Sequence, residues 1–387
     1  MIVYLLILLF ILFGVFNFDL LNNKAGKNLY IIFSFIFLAL MSAFRYRVGG
    51  DSIAYEIYFD GLPKLNDVWY YFFNENKNGY QPFWLILNGL VKEFGGNVYD
   101  FQMLHAIIFN TLLYIYLKRE TKYSLTFLLF FYCSFLYFYF AFEIQRESLA
   151  IGFFLINIKN LENNNWVKYY LLAIVSFMFH MSAIVIFIFP LFKLVRINRK
   201  IVVTLVLIGI PLTFLKSTFL NFFSIFLVLD SMKAKADVYS QGDFSTIGLL
   251  SFYFVRVILP LPFVLFLSRK KNNEKPNVGL LFGFIIISIF AQIIVGFERF
   301  INYIYIWIIV EFINEMYSIR FKKLVIIRKY IYRLSFIGML SFIILFKIFS
   351  VDNYGNKYLS IFFPYENVFT KQKNEEREVY LHNLWGW

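Results

Sequence analysis

Five arginines, Arg45, Arg47, Arg146, Arg256 and Arg299, sit at or just inside the ends of long apolar segments. A guanidinium at the centre of a bilayer costs roughly 2.5–3.5 kcal/mol on the insertion scale, so arginines kept there usually serve an anion. The planar fork of donors suits phosphate oxygens in particular. Two of the five belong to Arg45-Tyr46-Arg47-Val48-Gly49-Gly50-Asp51, followed by Tyr55. Asp51 could take a proton from a hydroxyl or orient an arginine; the plainer reading is a helix-end turn with a local ion pair. Glu143-Ile144-Gln145-Arg146-Glu147 opens another apolar run, with Arg146 one turn from Glu143. A pair alone is a poor reason to place charge there, whereas free N–H groups at a helix N-terminus favour an anion.

His180 lies mid-run in Phe179-His180-Met181-Ser182. A neutral imidazole there serves as base or hydrogen-bond donor, or is a satisfied core residue. Arg256 falls about nine residues into its segment, near mid-membrane on the rise of a helix. Phe297-Glu298-Arg299-Phe300, with Tyr303 one turn on, marks an outer turn or the wall of a site.

The elements that must position these residues follow from composition. Of 387 residues, 60% are hydrophobic, too many for a soluble domain to hide. They fall in runs of roughly 18–22, the length that spans hydrocarbon as helix. The fold class is an all-α polytopic membrane protein with about 10–12 transmembrane helices. The 53 phenylalanines reflect an AT-rich codon bias more simply than an aromatic function. The net charge of +13 is carried mainly by loops, so no nucleic acid partner is expected. A single cysteine, Cys133, excludes an internal disulfide and a thiolate metal site. The first segment reads as a retained span. There is no zinc ligand set, phosphate-binding glycine loop, nucleophile elbow or Asp-x-Asp pair, so neither metal nor cofactor is expected.

Basic clusters orient the chain. Lys24 and Lys27, Lys118 to Lys122, Lys159 and Lys168, Lys193 to Lys200, Arg269 to Lys275 and Arg320 to Arg333 all favour the cytoplasm. That leaves the loop 45–99, the turn near 140–146, the loop 230–246, the turn at 297–299 and the tail outside. The run 167–192 carries cytoplasmic signals at both ends, which a simple span cannot have. A re-entrant helical hairpin turning at His180 resolves the conflict, each half of about 12 residues reaching ~18 Å; the alternative is a straight span that breaks the charge rule. The division is a single membrane domain over 1–349 with an external loop domain at 45–99, and an external amphipathic, interfacial tail at 350–387.

Taken in order, these stretches resemble the EpsG-like branch of the Wzy polysaccharide polymerases. The likeness rests on the 45–51 stretch with Tyr55, Gln145-Arg146 with Leu149-Ala150, Phe179-His180 with Ser182-Ala183, Glu298-Arg299-Phe300 with Tyr303, and Pro364-Tyr365. Glu147 departs from the pattern, where a less charged residue is usual. The resemblance implies a glycosyltransferase at the outer face of the bacterial cytoplasmic membrane. A growing glycan would move from polyprenyl pyrophosphate to a sugar hydroxyl of the next lipid-linked unit, making O-antigen, capsule or exopolysaccharide. Arg45, Arg47, Arg146, Arg256 and Arg299 would bind pyrophosphate. Asp51 or His180 would assist deprotonation, with Arg146 in the catalytic group. Tyr55, Gln145 and Tyr303 would support them, and Glu143 and Glu298 would orient arginines. The implied partners are the polyprenyl-pyrophosphate-linked oligosaccharide, membrane lipids and a chain-length regulator protein. A flippase for the same lipid should show internal repeats and charges along a full path, and neither is visible. An O-antigen ligase-type transferase shares the donor chemistry.

Overall fold

The structure is a computed structural model that describes residues 2–194, 199–214, 246–270, 278–294, 297–318 and 357–385, with positions 338, 341, 349 and 351. Most of the loop 230–246, the latter part of the run 201–229, the basic stretches at 271–275 and 320–333, most of the run 330–349 and the terminal Gly386-Trp387 lie outside the described residues. Among the described residues the elements are helical, and β-pairing is limited to isolated bridges such as Arg45 with Asn367. Among the described residues two helices are long and apolar enough to cross a membrane, Ile2–Leu20 and Gly248–Leu265; a bent pair, Ser124–Cys133 with Leu136–Glu143, makes a third if it is one span. That is fewer than the apolar runs suggest. Several runs end as shorter helices, including Lys27–Ala43, Trp166–Phe177 and Gly279–Gln292.

The chain divides into two compact units: Met1–Asn74, Pro82–Gly152 and Ile313–Trp387 form the first, Glu75–Gln81 and Phe153–Phe312 the second. In the first unit, α1 (Ile2–Gly14) continues as a π-helical turn, Val15–Leu20. Helix α2 (Lys27–Ala43) buries Ile31, Phe35, Leu38 and Met41, a stripe at three- and four-residue spacing. Its other face exposes Leu29, Phe33, Ile36 and Leu40. In water that face would be a liability; against lipid it is ordinary. Helices α3 (Ser52–Gly61), α4 (Val68–Asn74) and α5 (Pro82–Glu93) fill the segment expected as an external loop domain. Helix α6 (Val98–Glu120) opens on a reciprocal cap: Asn97 accepts from Tyr99 N, and the Asp100 carboxylate accepts from Asn97 N.

Helix α7 (Ser124–Cys133) is followed by α8 (Leu136–Phe138) and a π-helical turn, Tyr139–Glu143, after an 83° bend. The run 123–141 reads as one span in the sequence, with neither Gly nor Pro to warn of a break. Phe135 makes the turn at φ 61°, and the Tyr137 hydroxyl beyond it donates to Leu38 O at 2.7 Å. Tertiary contact outweighs local preference here. Helix α9 (Gln145–Glu162) then begins in the first unit and runs into the second.

In the second unit, α10 (Trp166–Phe177) ends before His180, which is extended at φ −153°. A 3₁₀ segment, Met181–Ile188, and α11 (Phe189–Leu194) follow. The Tyr169 hydroxyl donates to Ile186 O at 2.6 Å. A straight helix would separate those residues by ~25 Å, so the chain doubles back at His180. The remaining helices are α12 (Arg199–Thr213), α13 (Thr246–Tyr253) with a π-helical turn Phe254–Ile258, α14 (Leu261–Lys270), α15 (Val278–Ile293) and α16 (Glu298–Ser318, whose last turns belong to the first unit).

One buried carboxylate staples the first unit at the end where its basic loops lie. Asp19 accepts from Lys27 Nζ at 2.6 Å and from the Thr126 amide and hydroxyl, both at 2.8 Å. The same ammonium donates to Lys122 O at 2.6 Å. Removing the acceptor leaves the Thr126 amide without this carboxylate and the Lys27 ammonium without its ion pair, so Asp19→Ala should cost about 1–3 kcal/mol. Thermal unfolding in detergent should show a clear loss, and an unchanged midpoint would mean the staple carries little.

Candidate active site

The 45–51 loop is built around a buried cation. Arg45 is 0% exposed. Its Nε donates to Val48 O at 3.1 Å, Nη1 to Ser42 O and to Ser42 Oγ at 3.2 Å, and Nη2 to Phe142 O at 3.4 Å. The guanidinium also stacks 4.6 Å from the centroid of the Phe142 ring. Burial lowers it to about 10, so it remains charged at neutral pH. Three loop elements therefore converge on one side chain: the end of α2, the loop itself and the turn before α9.

That convergence requires a glycine at 49. Gly49 has φ 113°, and a Cβ there would meet Phe142 Cβ at 3.0 Å and Phe142 O at 3.1 Å. A Cβ on Gly50 would stand 3.4 Å from Glu143 Oε2. The bare backbone thus lies directly against Phe142 and Glu143. Tyr55, on α3, donates its hydroxyl to Glu143 O at 3.0 Å and rests beside the buried Trp84 ring, 5.8 Å between centroids. Asp51 precedes α3, and its carbonyl accepts from Tyr55 N at 2.9 Å. Arg146 is half-buried in the first turn of α9, one residue beyond buried Gln145.

Arg47 is held by two carboxylates: Nε meets Glu56 at 2.6 Å and Nη1 meets Glu378 at 2.8 Å. Burial alone would lower it, but these partners hold its pKa above the ordinary guanidinium value. Glu378 belongs to α17 (Glu375–Trp385), so the C-terminal segment forms part of this site. Tyr46 N donates to Glu366 O at 2.8 Å, Gly49 N to Ile361 O at 3.1 Å and Val368 N to Phe44 O at 2.9 Å. Arg377, 1% exposed, donates to Ser360 O at 3.1 Å, to Arg47 O at 3.4 Å and to Pro364 O. Tyr358 faces Glu143; burial and then that carboxylate raise its phenol, which stays protonated.

Three contributors escape sequence reasoning. Gln102 donates to Ala43 O at 2.7 Å and Arg45 O at 2.9 Å. One turn on, His105 donates from Nε2 to Gln145 O at 3.1 Å, since a carbonyl can only accept. Polar residues three apart on an apolar helix were an available signal. Arg377 had none, because a polar tail looks solvated.

In the second unit the sequence motifs form another cluster. His180 Nδ1 lies 2.6 Å from Ser182 Oγ, which lies 3.0 Å from the Tyr303 hydroxyl. Arg299 Nη1 is 3.3 Å from His180 Nε2. Glu298 opens α16 beside Arg299. Arg256 occupies the π-helical turn Phe254–Ile258, 5.1 Å from the Phe252 ring centroid. Such turns inside helices recur at functional sites. The five arginines thus divide, with Arg45, Arg47 and Arg146 in the first unit and Arg256 and Arg299 in the second.

If Arg47 is chiefly the partner of Glu378, their effects should be coupled. Arg47→Ala and Glu378→Ala should each lower the thermal midpoint, and the double variant should recover roughly 1 kcal/mol relative to the sum. Simple additivity would separate the two residues.

Neither the curated proteins nor the solved structures contain a match to the chain. A family model does match, over residues 28–367, and carries the description EpsG family. That range includes the 45–51 loop, the turn before α9, the His180 cluster and the Phe362–Asn367 segment against the loop. The chain belongs to the EpsG family, a family of Wzy-like polysaccharide polymerases.

Proposed function

We propose that the chain polymerises lipid-linked oligosaccharide units at the outer face of a bacterial cytoplasmic membrane, using a polyprenyl-pyrophosphate donor. The observation that carries this reading is the packing of Gly49-Gly50 against Phe142-Glu143. It brings the Arg/Gly-Gly/Asp loop up to the first turn of α9, where Arg146 is half-buried. A helix N-terminus with an adjacent guanidinium is a seat for phosphate.

Arg45 and Arg47 take a different part from the one their sequence suggests. With Arg45 unexposed and Arg47 between two carboxylates, they build the loop, and direct phosphate contact falls to Arg146 within the first unit, or to Arg256 and Arg299 within the second. The acceptor hydroxyl gives its proton to Asp51 or His180 as its oxygen bonds to the donor's anomeric carbon. The carbon–oxygen bond to pyrophosphate breaks, and the electron pair departs with the pyrophosphate, whose charge the arginines stabilise. No nucleotide is needed, because the donor carries its own leaving group. The chain reversal at His180 fits a re-entrant hairpin among about 10–12 spans. A chain-length regulator is the protein partner that suits this activity.

A strain lacking the gene, complemented with Arg146→Ala or Arg299→Ala, should give a surface-polysaccharide ladder collapsed to single repeat units. Loss of one such donor is worth about 10²–10³ in rate. Long chains at equal protein level would remove these residues from the site. Loss of even single units would point to a flippase instead.

A further inference from the structure

The Arg299 guanidinium, the Ser182 hydroxyl and the Ser182 amide all approach the His180 imidazole, and their demands conflict. Arg299 Nη1 faces Nε2 at 3.3 Å. At Nδ1 stand the Ser182 hydroxyl, 2.6 Å away, and the Ser182 backbone amide, 3.2 Å away. A guanidinium and an amide can only donate, and a neutral imidazole has one lone pair to offer. The two donors therefore compete for it from opposite sides of the ring. Of these three, the hydroxyl can serve either tautomer, because it both accepts and donates. Its own onward partner, the Tyr303 hydroxyl at 3.0 Å, has the same freedom. Ser182 and Tyr303 are both buried, so no bulk water substitutes for them.

We propose that Ser182, backed by Tyr303, is a positioning residue that holds the His180 proton on Nδ1 and so presents Nε2 as the base for the acceptor hydroxyl. This rests on the polymerase reading above, and it assigns the base to His180 over Asp51. Nδ1–H donates to Ser182 Oγ, and Ser182 passes its own hydrogen to the Tyr303 oxygen. Nε2 keeps its lone pair, which Arg299 occupies until phosphate draws the guanidinium away. Nε2 then takes the acceptor proton as the new carbon–oxygen bond forms. The old bond to pyrophosphate breaks with its electron pair leaving on pyrophosphate, and Nε2 later yields its proton to that leaving group. Nδ1–H stays on Ser182 throughout. Without the hydroxyl, Nδ1–H loses its acceptor on Ser182 while the Ser182 amide still points at Nδ1. The lone pair moves there, the proton moves to Nε2, and the base is lost. Which ring nitrogen is protonated is set by the bond the other one makes.

The test reads the tautomer directly. The full chain, labelled with ¹⁵N-histidine and placed in lipid bilayers, contains three histidines, and His180→Ala identifies the signal of interest. The wild type should carry the proton on Nδ1, and Ser182→Ala on Nε2. Turnover is measured in parallel on lipid-linked repeat units extracted from a strain lacking the gene. Ser182→Thr and Ser182→Val have the same shape, so any strain from the added methyl is common to both. Ser182→Thr should exceed Ser182→Val in kcat by tenfold or more, with donor KM within about twofold; positioned acid–base groups contribute 10²–10⁴. Tyr303→Phe should lose a smaller factor. Equal rates for Thr and Val, a fully active Ser182→Ala, or an unshifted tautomer would overturn the proposal. Long chains made by His180→Ala would instead overturn the choice of His180 as base.

Discussion

The first unit depends on a guanidinium with no water around it. Arg45 satisfies its donors on the carbonyls of Ser42, Val48 and Phe142, with the Ser42 hydroxyl and the Phe142 ring closing the shell. A buried cation has to find acceptors or neutralise. Here the acceptors are backbone groups on three separate segments, so satisfying the charge draws those segments together. The tight approach of Gly49 and the hydroxyl of Tyr55 then follow from where Phe142 and Glu143 must lie.

A second buried arginine repeats the device from the C-terminal side. Arg377 binds carbonyls on its own segment and on Arg47, while Glu378 reaches the Arg47 side chain. The loop is gripped on both flanks, by a helix turn at one side and by the chain's end at the other. Placing polar groups this rigidly limits the reorganisation that a charged ligand would otherwise demand.

Helix irregularity marks the charged positions. Among the described residues, π-helical turns cover Val15–Leu20, Tyr139–Glu143 and Phe254–Ile258, and they contain Asp19, Glu143 and Arg256. A π-turn inserts a residue, so it re-aims a side chain and loosens the local backbone ladder. At Asp19 the result is a structural staple, whereas Glu143 borders the Gly49-Gly50 loop in the first unit and Arg256 lies in the second.

The sequence by itself determined the all-helical class and the short motifs, because burial cost and helical period act locally. The conflict of charge signals around 167–192 pointed to a break at His180, where the backbone is extended between α10 and the 3₁₀ segment. The type of each motif residue was legible too: arginine for anions, paired glycines for close approach. What the arginines touch was not. Arg45 and Arg146 carry the same charge, yet one is sealed among carbonyls and the other is half-buried at a helix start. The 83° bend after Cys133 and the return of Arg377 to the loop were equally hidden. Both arise from contacts between residues far apart in the chain, and no local propensity encodes them. Only the tertiary structure decided which cations are sealed among backbone carbonyls, which are held by carboxylates, and which nitrogen of His180 faces Arg299.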